Sequence, residues 1–327
     1  MRIVVALGGN ALLQRGQKPD AANQLEHIRQ AARALAPLAA QHELIICHGN
    51  GPQIGMLALE SEHDPLLTRP YPLDVLGAQT QGMIGYWLAQ CLRNAGVTKP
   101  VLSIITQTLI DPSDPAFARP EKFVGPVYSH EQARQLAHQH GWTIAADGSQ
   151  WRRTVPSPTP QQIIEQDTIE GLLRTQAVLI CGGGGGVPVT DDGQGQLHGV
   201  EAVVDKDLTA ALLAITLHAS RLLILTDVPA VMAHFGTPQA APLHHLNLDD
   251  LAGLQFPEGS MGPKIAACRQ FVAATGQPAA IGSLAEAAGI LAGTAGTTIT
   301  PGRHPGPDSR HDPDHPAAQA AAPAAGA

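Results

Sequence analysis

The feature that most restricts the fold of this chain is the regular return of short apolar runs. Helical patterns separate most of these runs, because apolar residues recur every three or four positions around 25–35, 83–92 and 208–215. Strands that alternate with helices form a mostly parallel sheet with helices on both faces. The sequence therefore predicts an α/β fold with strands at 3–7, 44–47, 101–105, 178–181, 222–226 and 279–281.

Composition restricts the class of protein further. The chain has 327 residues, of which 44% are hydrophobic, and this is enough for one large α/β domain or two moderate ones. A net charge of −8 argues against nucleic acid or an anionic membrane as a partner. The four cysteines are far apart, which is typical of reduced thiols. No segment resembles a secretion signal or a membrane span, so we expect a cytoplasmic protein.

Two segments depart from the alternation of strands and helices. Segment 111–160 begins with DPSDP, ends with VPSPTP and contains a helical pattern near 131–140. This pattern predicts a small subdomain that is inserted between two elements of the core. Segment 301–327 has almost no large apolar residue, so we predict a disordered tail.

Three of the predicted strands end in loops of glycine and asparagine. ALGGNAL follows the first strand, HGNGPQIG the second and CGGGGGVPV the fourth. The carboxyl ends of parallel strands share one edge of a sheet, and backbone N–H groups of glycine at helix N-termini bind anions. We interpret the three loops together as a phosphate site, although any one of them alone fits a flexible turn equally well. The familiar GxxxxGK[ST] motif is not found in the sequence.

A phosphate site also needs full positive charges, and the chain has only five lysines, at 18, 99, 122, 206 and 264. Lys206 lies in VVDKDLTA and Lys264 in GSMGPK, each at the start of a predicted helix. A bound phosphate would favour a cation there, whereas the helix dipole alone opposes it. For Asp205 and Asp207, capping of the helix N-terminus is an alternative role, and Lys264 also fits an ordinary surface position.

Eight segments of the sequence resemble, in order and spacing, those of the carbamate kinases in the amino-acid kinase superfamily: ALGGNAL, HGNGPQIG, PLDVLGAQTQGMIGY, RRTVPSP, GGGGVPV, VVDKDLTA, LTDV and GSMGPK. The likeness extends over about residues 1–300. It implies a three-layer α/β/α sandwich, usually as a homodimer, and Mg²⁺-dependent phosphoryl transfer between ATP and carbamate that gives ADP and carbamoyl phosphate. It also implies that the reaction often runs towards ATP, in arginine catabolism.

The resemblance also implies a division of the chain. Residues 1–200 would bind carbamate and the phosphoryl group, with an inserted lid at about 111–160, and residues 201–300 would bind the nucleotide. The catalytic residues would be Lys206, Lys264, Lys122 and Asp207. Carbamate and the phosphoryl group would be held by Gly8, Gly9, Asn10, Gly49, Asn50 and Gly51. ATP or ADP would contact Gly183, Gly184, Thr226, Asp227 and Val228, and Mg²⁺ would enter with the nucleotide rather than through protein ligands.

Three features of the sequence modify this expectation. Many superfamily relatives have a lysine where this chain has Ala6, so we expect Lys122, in ARPEKFVGPVY, to be carried to the site by a mobile lid. Pro229 and Met232 stand where an acid and an aromatic residue are common, which bears on nucleotide affinity. We interpret His48 as a residue packed under the loop and not as a general base.

Alternatives to this function and to the dimer stay open. The chain fits a superfamily kinase for another acceptor, such as an acylamino-acid carboxylate or a nucleoside monophosphate, or a nucleotide-binding regulator without turnover. The insertion and HGNGPQIG favour carbamate, and the retention of both Lys206 and Lys264 favours an active enzyme. Segment 72–94, which bears Met83, Ile84, Tyr86, Trp87 and Leu88, is predicted to lie at a homodimer contact, and its alternative role is ordinary core.

Overall fold

The structure is a computed structural model that describes residues 1–9, 12–13, 17–254 and 261–302. The predicted tail therefore lies outside the described residues from position 303 onward. The strands are β1 Arg2–Leu7, β2 Glu43–His48, β3 Val101–Ser103, β4 Gln107–Ile110, β5 Lys122–Tyr128, β6 Thr143–Asp147, β7 Gln150–Val155, β8 Pro160–Ile163, β9 Val178–Ile180, β10 Val187–Asp191, β11 Leu197–Gly199, β12 Arg221–Thr226, β13 Val231–Ala233, β14 Ala241–Leu243, β15 His245–Asn247, β16 Ala279–Ser283 and β17 Thr297–Thr300.

The helices are α1 Ala21–Gln41, α2 Gly51–His63, α3 Leu73–Asn94, α4 His130–His140, α5 Gln166–Leu173, α6 Lys206–Thr216, α7 Leu248–Ala252, α8 Met261–Thr275 and α9 Ala287–Ala292. Local sequence explains several of the helix ends. In α4, for example, Ser129 and Gln132 form a reciprocal capping box at the start, and Gly141, with φ 67°, ends the helix. None of the helices in the described part of the chain has both the length and the apolar character that a membrane crossing requires.

The central sheet has eight strands in the order β15-β17-β16-β12-β1-β2-β9-β3. All six of the predicted apolar runs are strands of this sheet, and they run parallel to one another. Strand β17 is antiparallel to β16, and β15 pairs parallel to β17 at the edge. The prediction of a mostly parallel sheet is confirmed, whereas β15 and β17 were not predicted.

Side chains of the central sheet alternate between two apolar layers. Val4 and Ala6 of β1 pack with α5, α6 and α8, whereas Ile3, Val5 and Leu7 face α1, α3 and α9. Since successive side chains of a strand point to opposite faces, burial of every residue after Arg2 means that both faces are covered. The predicted three-layer α/β/α fold is confirmed.

The predicted insertion forms a small subdomain with its own sheet. Strands β5, β7 and β6 pair antiparallel in that order, and α4 packs against them. The insertion leaves the core after β4 and returns at β8, and these two strands pair with each other. The subdomain contacts α2 closely, since a Cβ on Gly55 would lie 1.9 Å from Cα of Gly125.

Helix α3 matches the predicted segment 72–94, but most of its apolar side chains belong to the core. Ile84 and Leu88 are fully buried, and Met83 and Trp87 are partly buried against the same core. Tyr86 is 58% exposed. Of the five side chains that were considered for a dimer contact, Ile84 and Leu88 therefore have the core role.

Candidate active site

The glycine loops after β1, β2 and β9 meet at the carboxyl edge of the central sheet, as their positions predicted. They line a cavity of about 250 Å³, together with the end of β12 and the starts of α6 and α8. The loops touch directly, because a Cβ on Gly49 would lie only 3.1 Å from the backbone nitrogen of Gly9. The edge of a parallel sheet where strand ends meet is the usual ligand position in α/β folds.

Two lysines from different helices meet on one carboxylate in this cavity. Lys206 Nζ donates to Asp207 Oδ1 at 2.5 Å, and Lys264 Nζ donates to Asp207 Oδ2 at 3.0 Å. All three side chains are at most 14% exposed. A carboxylate that holds two ammonium groups leaves a net positive charge, so the arrangement suits an anionic ligand with several oxygens.

Burial and charge act in opposite directions on these three groups. Burial alone would raise the pKa of Asp207, but the ammonium groups of Lys206 and Lys264 outweigh it and hold that pKa well below the ordinary value. Burial lowers the pKa of Lys206, and the neighbouring Lys264 adds to this effect. Burial acts the same way on Lys264, but its contacts with Asp207 outweigh it and raise the pKa of Lys264.

Asp205 links the start of α6 to the inserted subdomain. Its Oδ1 accepts the backbone N–H groups of Asp207 and Leu208, at 2.8 and 3.3 Å, so it is the N-cap of α6. Its Oδ2 accepts a hydrogen bond from Nζ of Lys122, the first residue of β5. The structure therefore brings Lys122 to the cavity, and it gives the capping role to Asp205 and not to Asp207.

The glycine run at 182–186 is packed tightly beneath the cavity. Added Cβ atoms would lie 2.4 Å from Nε2 of His48 at Gly183, 2.1 Å from Nδ2 of Asn50 at Gly184 and 2.3 Å from the carbonyl oxygen of Val204 at Gly185. Gly184 and Gly185 also have φ values of 64° and 94°, which other residues rarely adopt. Close packing therefore requires glycine at positions 183–185, independently of any contact with a ligand.

His48 occupies the packed position that was expected for it. The ring is 1% exposed, and burial lowers its pKa to about 4. Its Nδ1 lies 3.1 Å from the carbonyl oxygen of Gly49. A neutral imidazole that is covered on its other side by Gly183 supports the loop and cannot reach a ligand in the cavity.

The predicted site residues fall into three groups. Those that line the cavity are Gly8, Gly9, Gly49, Asn50, Gly51, Lys122, Gly184, Lys206, Asp207, Thr226, Asp227 and Lys264. Gly183 lies behind the wall, against His48, and Val228 lies just beyond the end of β12, outside the lining of this cavity. Asn10 lies outside the described residues.

The sequence did not single out two contributors to the site. Asp205 was considered only as a capping residue, since its partner Lys122 is 83 positions away in the chain. Thr80 holds Asn50 in place, because Asn50 Nδ2 donates to Thr80 Oγ1 at 2.9 Å. Thr80 belongs to LGAQTQG, one of the segments behind the family resemblance, so a signal for it was present.

Metal-binding side chains are not grouped in the described part of the chain. Within residues 1–9, 12–13, 17–254 and 261–302, no cluster of three or more His, Cys, Asp or Glu side chains could hold a metal ion. Among the described residues that line the cavity, Asp205 and Asp207 already accept hydrogen bonds from lysines, and Asp227 accepts one from Thr226 Oγ1. The donor set thus fits a metal that arrives bound to phosphate oxygens and water.

Comparison with known proteins identifies the family. Residues 1–283 match the model of the amino acid kinase family. The chain belongs to the amino acid kinase family. Within this family it is 50% identical to carbamate kinase of Escherichia coli (strain K12), over 298 residues that cover 91% of this chain and 99% of that protein. The resemblance to carbamate kinases that the motifs indicated is confirmed.

Solved structures of family members share the fold. Carbamate kinase from Giardia lamblia bound to citric acid has a TM-score of 0.86 and 36% identity, and the match covers 92% of this chain and 98% of that chain. The same Giardia protein bound to AMP-PNP has a TM-score of 0.83, with equal identity and coverage. Family, relatives and fold together establish that this member of the amino acid kinase family is a kinase.

Proposed function

We propose that the chain is a carbamate kinase, which transfers a phosphoryl group reversibly between ATP and carbamate to give ADP and carbamoyl phosphate. The observation that carries the proposal is the convergence of Lys206 and Lys264 on Asp207, in a small cavity walled by glycine loops. Identity of 50% to a carbamate kinase over nearly the whole chain supports carbamate as the acceptor.

The chemistry needs charge stabilisation and positioning more than acid–base catalysis. A carbamate oxygen forms a bond to the γ-phosphorus while the bond from that phosphorus to the β–γ bridging oxygen breaks, and its electron pair stays on ADP. Carbamate is already an anion, so no proton has to be removed, in keeping with the buried His48. Fixed positive charges at the transferring oxygens lower the barrier without reorganisation.

Each charged group has a distinct task in this proposal. Lys206 and Lys264 neutralise the phosphate oxygens from two sides, and Asp207 fixes the two ammonium groups relative to each other. The backbone N–H groups after β1 and β2 hold carbamate and the transferring group. Lys122 provides the cation on the side of the first strand, where Ala6 lies beneath the loop, and the inserted subdomain acts as its lid.

The nucleotide and its metal ion complete the proposed site. Thr226, Asp227, Val228 and the glycine run would approach the nucleotide, and the complex of the Giardia relative with AMP-PNP supports an adenine nucleotide. Mg²⁺ bound to the nucleotide would supply additional charge neutralisation at the phosphate oxygens. Because the carboxylates of the cavity already accept hydrogen bonds, that ion would be held mainly by phosphate oxygens and water.

The remaining parts of the proposal rest mainly on the family resemblance. They are a homodimer, a cytoplasmic location and a reaction directed towards ATP in arginine catabolism. Exposed apolar side chains on and near the edge strand β3 support the dimer: Leu102 and Ile105 are 39% and 53% exposed, and Tyr86 of α3 is 58% exposed. An edge strand with exposed apolar neighbours is a favourable place for a partner to pair.

A panel of acceptors tests the proposed function. We expect the purified chain to make ATP from ADP and carbamoyl phosphate, and EDTA to abolish this activity. In the other direction, ATP should be consumed with carbamate and not with acetylglutamate or UMP. Turnover of acetylglutamate or UMP without turnover of carbamoyl phosphate would assign another acceptor, and ADP binding without any turnover would indicate a regulator.

A further inference from the structure

One carboxylate that lines the cavity has two partners that belong to different parts of the fold. Asp205 uses Oδ1 to cap α6, the helix that begins with Lys206 and Asp207. It uses Oδ2 to accept from Lys122, which begins β5 of the inserted subdomain. The Asp205 side chain is 10% exposed and that of Lys122 is 37% exposed, and the pair lies at the border between the cavity of the lysine pair and a second cavity, both of which it lines.

The charge balance of the Lys122–Asp205 pair differs from that of Asp207 with its two lysines. Asp207 is shared by two ammonium groups, whereas Asp205 neutralises a single one. Lys122 therefore contributes no net charge to an incoming anion while it stays on Asp205. A phosphoryl oxygen has to compete with the Asp205 carboxylate for this ammonium, or to share it.

Other contacts hold the body of the subdomain, so the task of Asp205 is local. Gly55 of α2 packs backbone to backbone on Gly125 of β5. On β7, Arg153 lies 3.6 Å from Glu62 and 3.6 Å from Glu201, and its guanidinium stacks over the ring of Trp142. Loss of the Asp205 contact would free the end of β5 without undocking the subdomain.

We propose that Asp205 is a positioning residue that holds the ammonium of Lys122 at the border of the cavity, at a fixed position relative to Lys206. This inference rests on the proposed function and adds a residue to it. The N-cap places Asp205 at a fixed distance from the residues that follow it in α6. The Asp205 carboxylate therefore determines the position of Lys122 relative to Lys206 and Lys264, the two lysines on Asp207.

The substitution Asp205→Asn separates the two tasks of this side chain. Asparagine caps a helix about as well as aspartate, so the start of α6 is kept. The charge that holds Lys122 is lost. We expect kcat to fall by between about tenfold and a hundredfold, the range that misplacement of a reacting group costs. The KM for ADP should change by less than about threefold, because the nucleotide is not held by Lys122.

A double-mutant cycle with Lys122→Ala distinguishes positioning from a structural effect. If Asp205 acts through Lys122, Asp205→Asn should lower kcat in the wild-type background and change it by less than about twofold in the Lys122→Ala background. Glu121→Gln is the matched control, since it removes an exposed carboxylate next to Lys122 that does not line the cavity of the lysine pair. This control should retain wild-type kcat.

Hydrogen exchange gives a second readout that does not depend on turnover. In the ligand-free protein, Asp205→Asn and Lys122→Ala should each speed the exchange of the first amides of β5, with no change at Arg153. Equal losses of kcat in both backgrounds, or unchanged exchange in β5, would overturn the inference. A wild-type chain without carbamoyl phosphate activity would overturn the proposed function instead, and the exchange result would still stand.

Discussion

Substitution of Gly184 by alanine tests whether the glycine run is fixed by packing. The new Cβ would lie 2.1 Å from Nδ2 and 2.4 Å from Cγ of Asn50. Asn50 is 7% exposed and its amide donates to Thr80, so its side chain cannot yield without loss of that hydrogen bond. Gly184 also has a φ of 64°, a conformation that alanine adopts only at a cost.

The two costs can be added. A left-handed backbone costs alanine about 1–2 kcal/mol. Overpacking of a filled site typically costs about 1–3 kcal/mol more. For a chain of this length, 1 kcal/mol corresponds to a change of about 1.5 °C in Tm. Gly184→Ala should therefore lower Tm by about 3–7 °C. It should also reduce activity at temperatures where the protein is folded, because the displaced Asn50 lines the cavity.

Gly141→Ala is the matched control for this measurement. Gly141 has nearly the same backbone conformation, with φ 67°, but a Cβ there would meet no atom within 4 Å. It should lower Tm by only about 1.5–3 °C, from the backbone cost alone. Thermal unfolding followed by circular dichroism gives both values. Equal shifts in Tm for the two variants would refute the argument that packing against Asn50 fixes the glycine run.

Three further expectations concern acid stability, thiols and assembly. Burial lowers the pKa of His48 to about 4, below its unfolded value of about 6.5, so its protonation favours the unfolded chain in this window. Tm should therefore fall more steeply between pH 6.5 and 4 in the wild type than in His48→Gln, and parallel curves would contradict this cause. All four cysteines are buried, and burial raises their pKa values. Ellman's reagent should therefore detect no thiol in the native chain and four after denaturation. Rapid reaction of the native protein would be inconsistent with that burial. Light scattering at micromolar concentration should give a dimer, which Tyr86→Glu should weaken, and a monomeric wild type would exclude the proposed dimer.

The sequence was most informative about the core of the sheet. Five of the six predicted strands are buried on both faces, so their apolar runs are continuous and easy to detect. The sixth, β3, lies at an edge of the sheet and exposes Leu102 and Ser103. Strands β15 and β17, at one end of the sheet, were missed because HLN and TTIT are short and partly polar. These segments become strands because they form hydrogen bonds with neighbouring strands of the sheet, and no local sequence pattern reveals that pairing.

For the site, the sequence located the loops and lysines but not the contacts between them. Glycine suggested an approach by phosphate, whereas side chains of His48 and Asn50 occupy the space beside Gly183 and Gly184. The acid pair around Lys206 gave no sign that Asp205 and Asp207 serve different lysines. That distinction depends on where the subdomain brings Lys122, which is a property of the tertiary structure.

The initial rate of ATP formation from ADP and carbamoyl phosphate, compared between the wild type and two lysine variants, tests the account most directly. Lys206→Ala and Lys264→Ala should each lower kcat by at least about a hundredfold, since each removes a preorganised charge from the transferring group. Arginine at either position should restore little, because its planar fork does not replace a point charge. Lys99→Ala, which loses a hydrogen bond to the carbonyl oxygen of His42 and does not line the cavity, should be as active as the wild type. Turnover near the wild-type rate in Lys206→Ala or Lys264→Ala would contradict the claim that this lysine pair performs phosphoryl transfer.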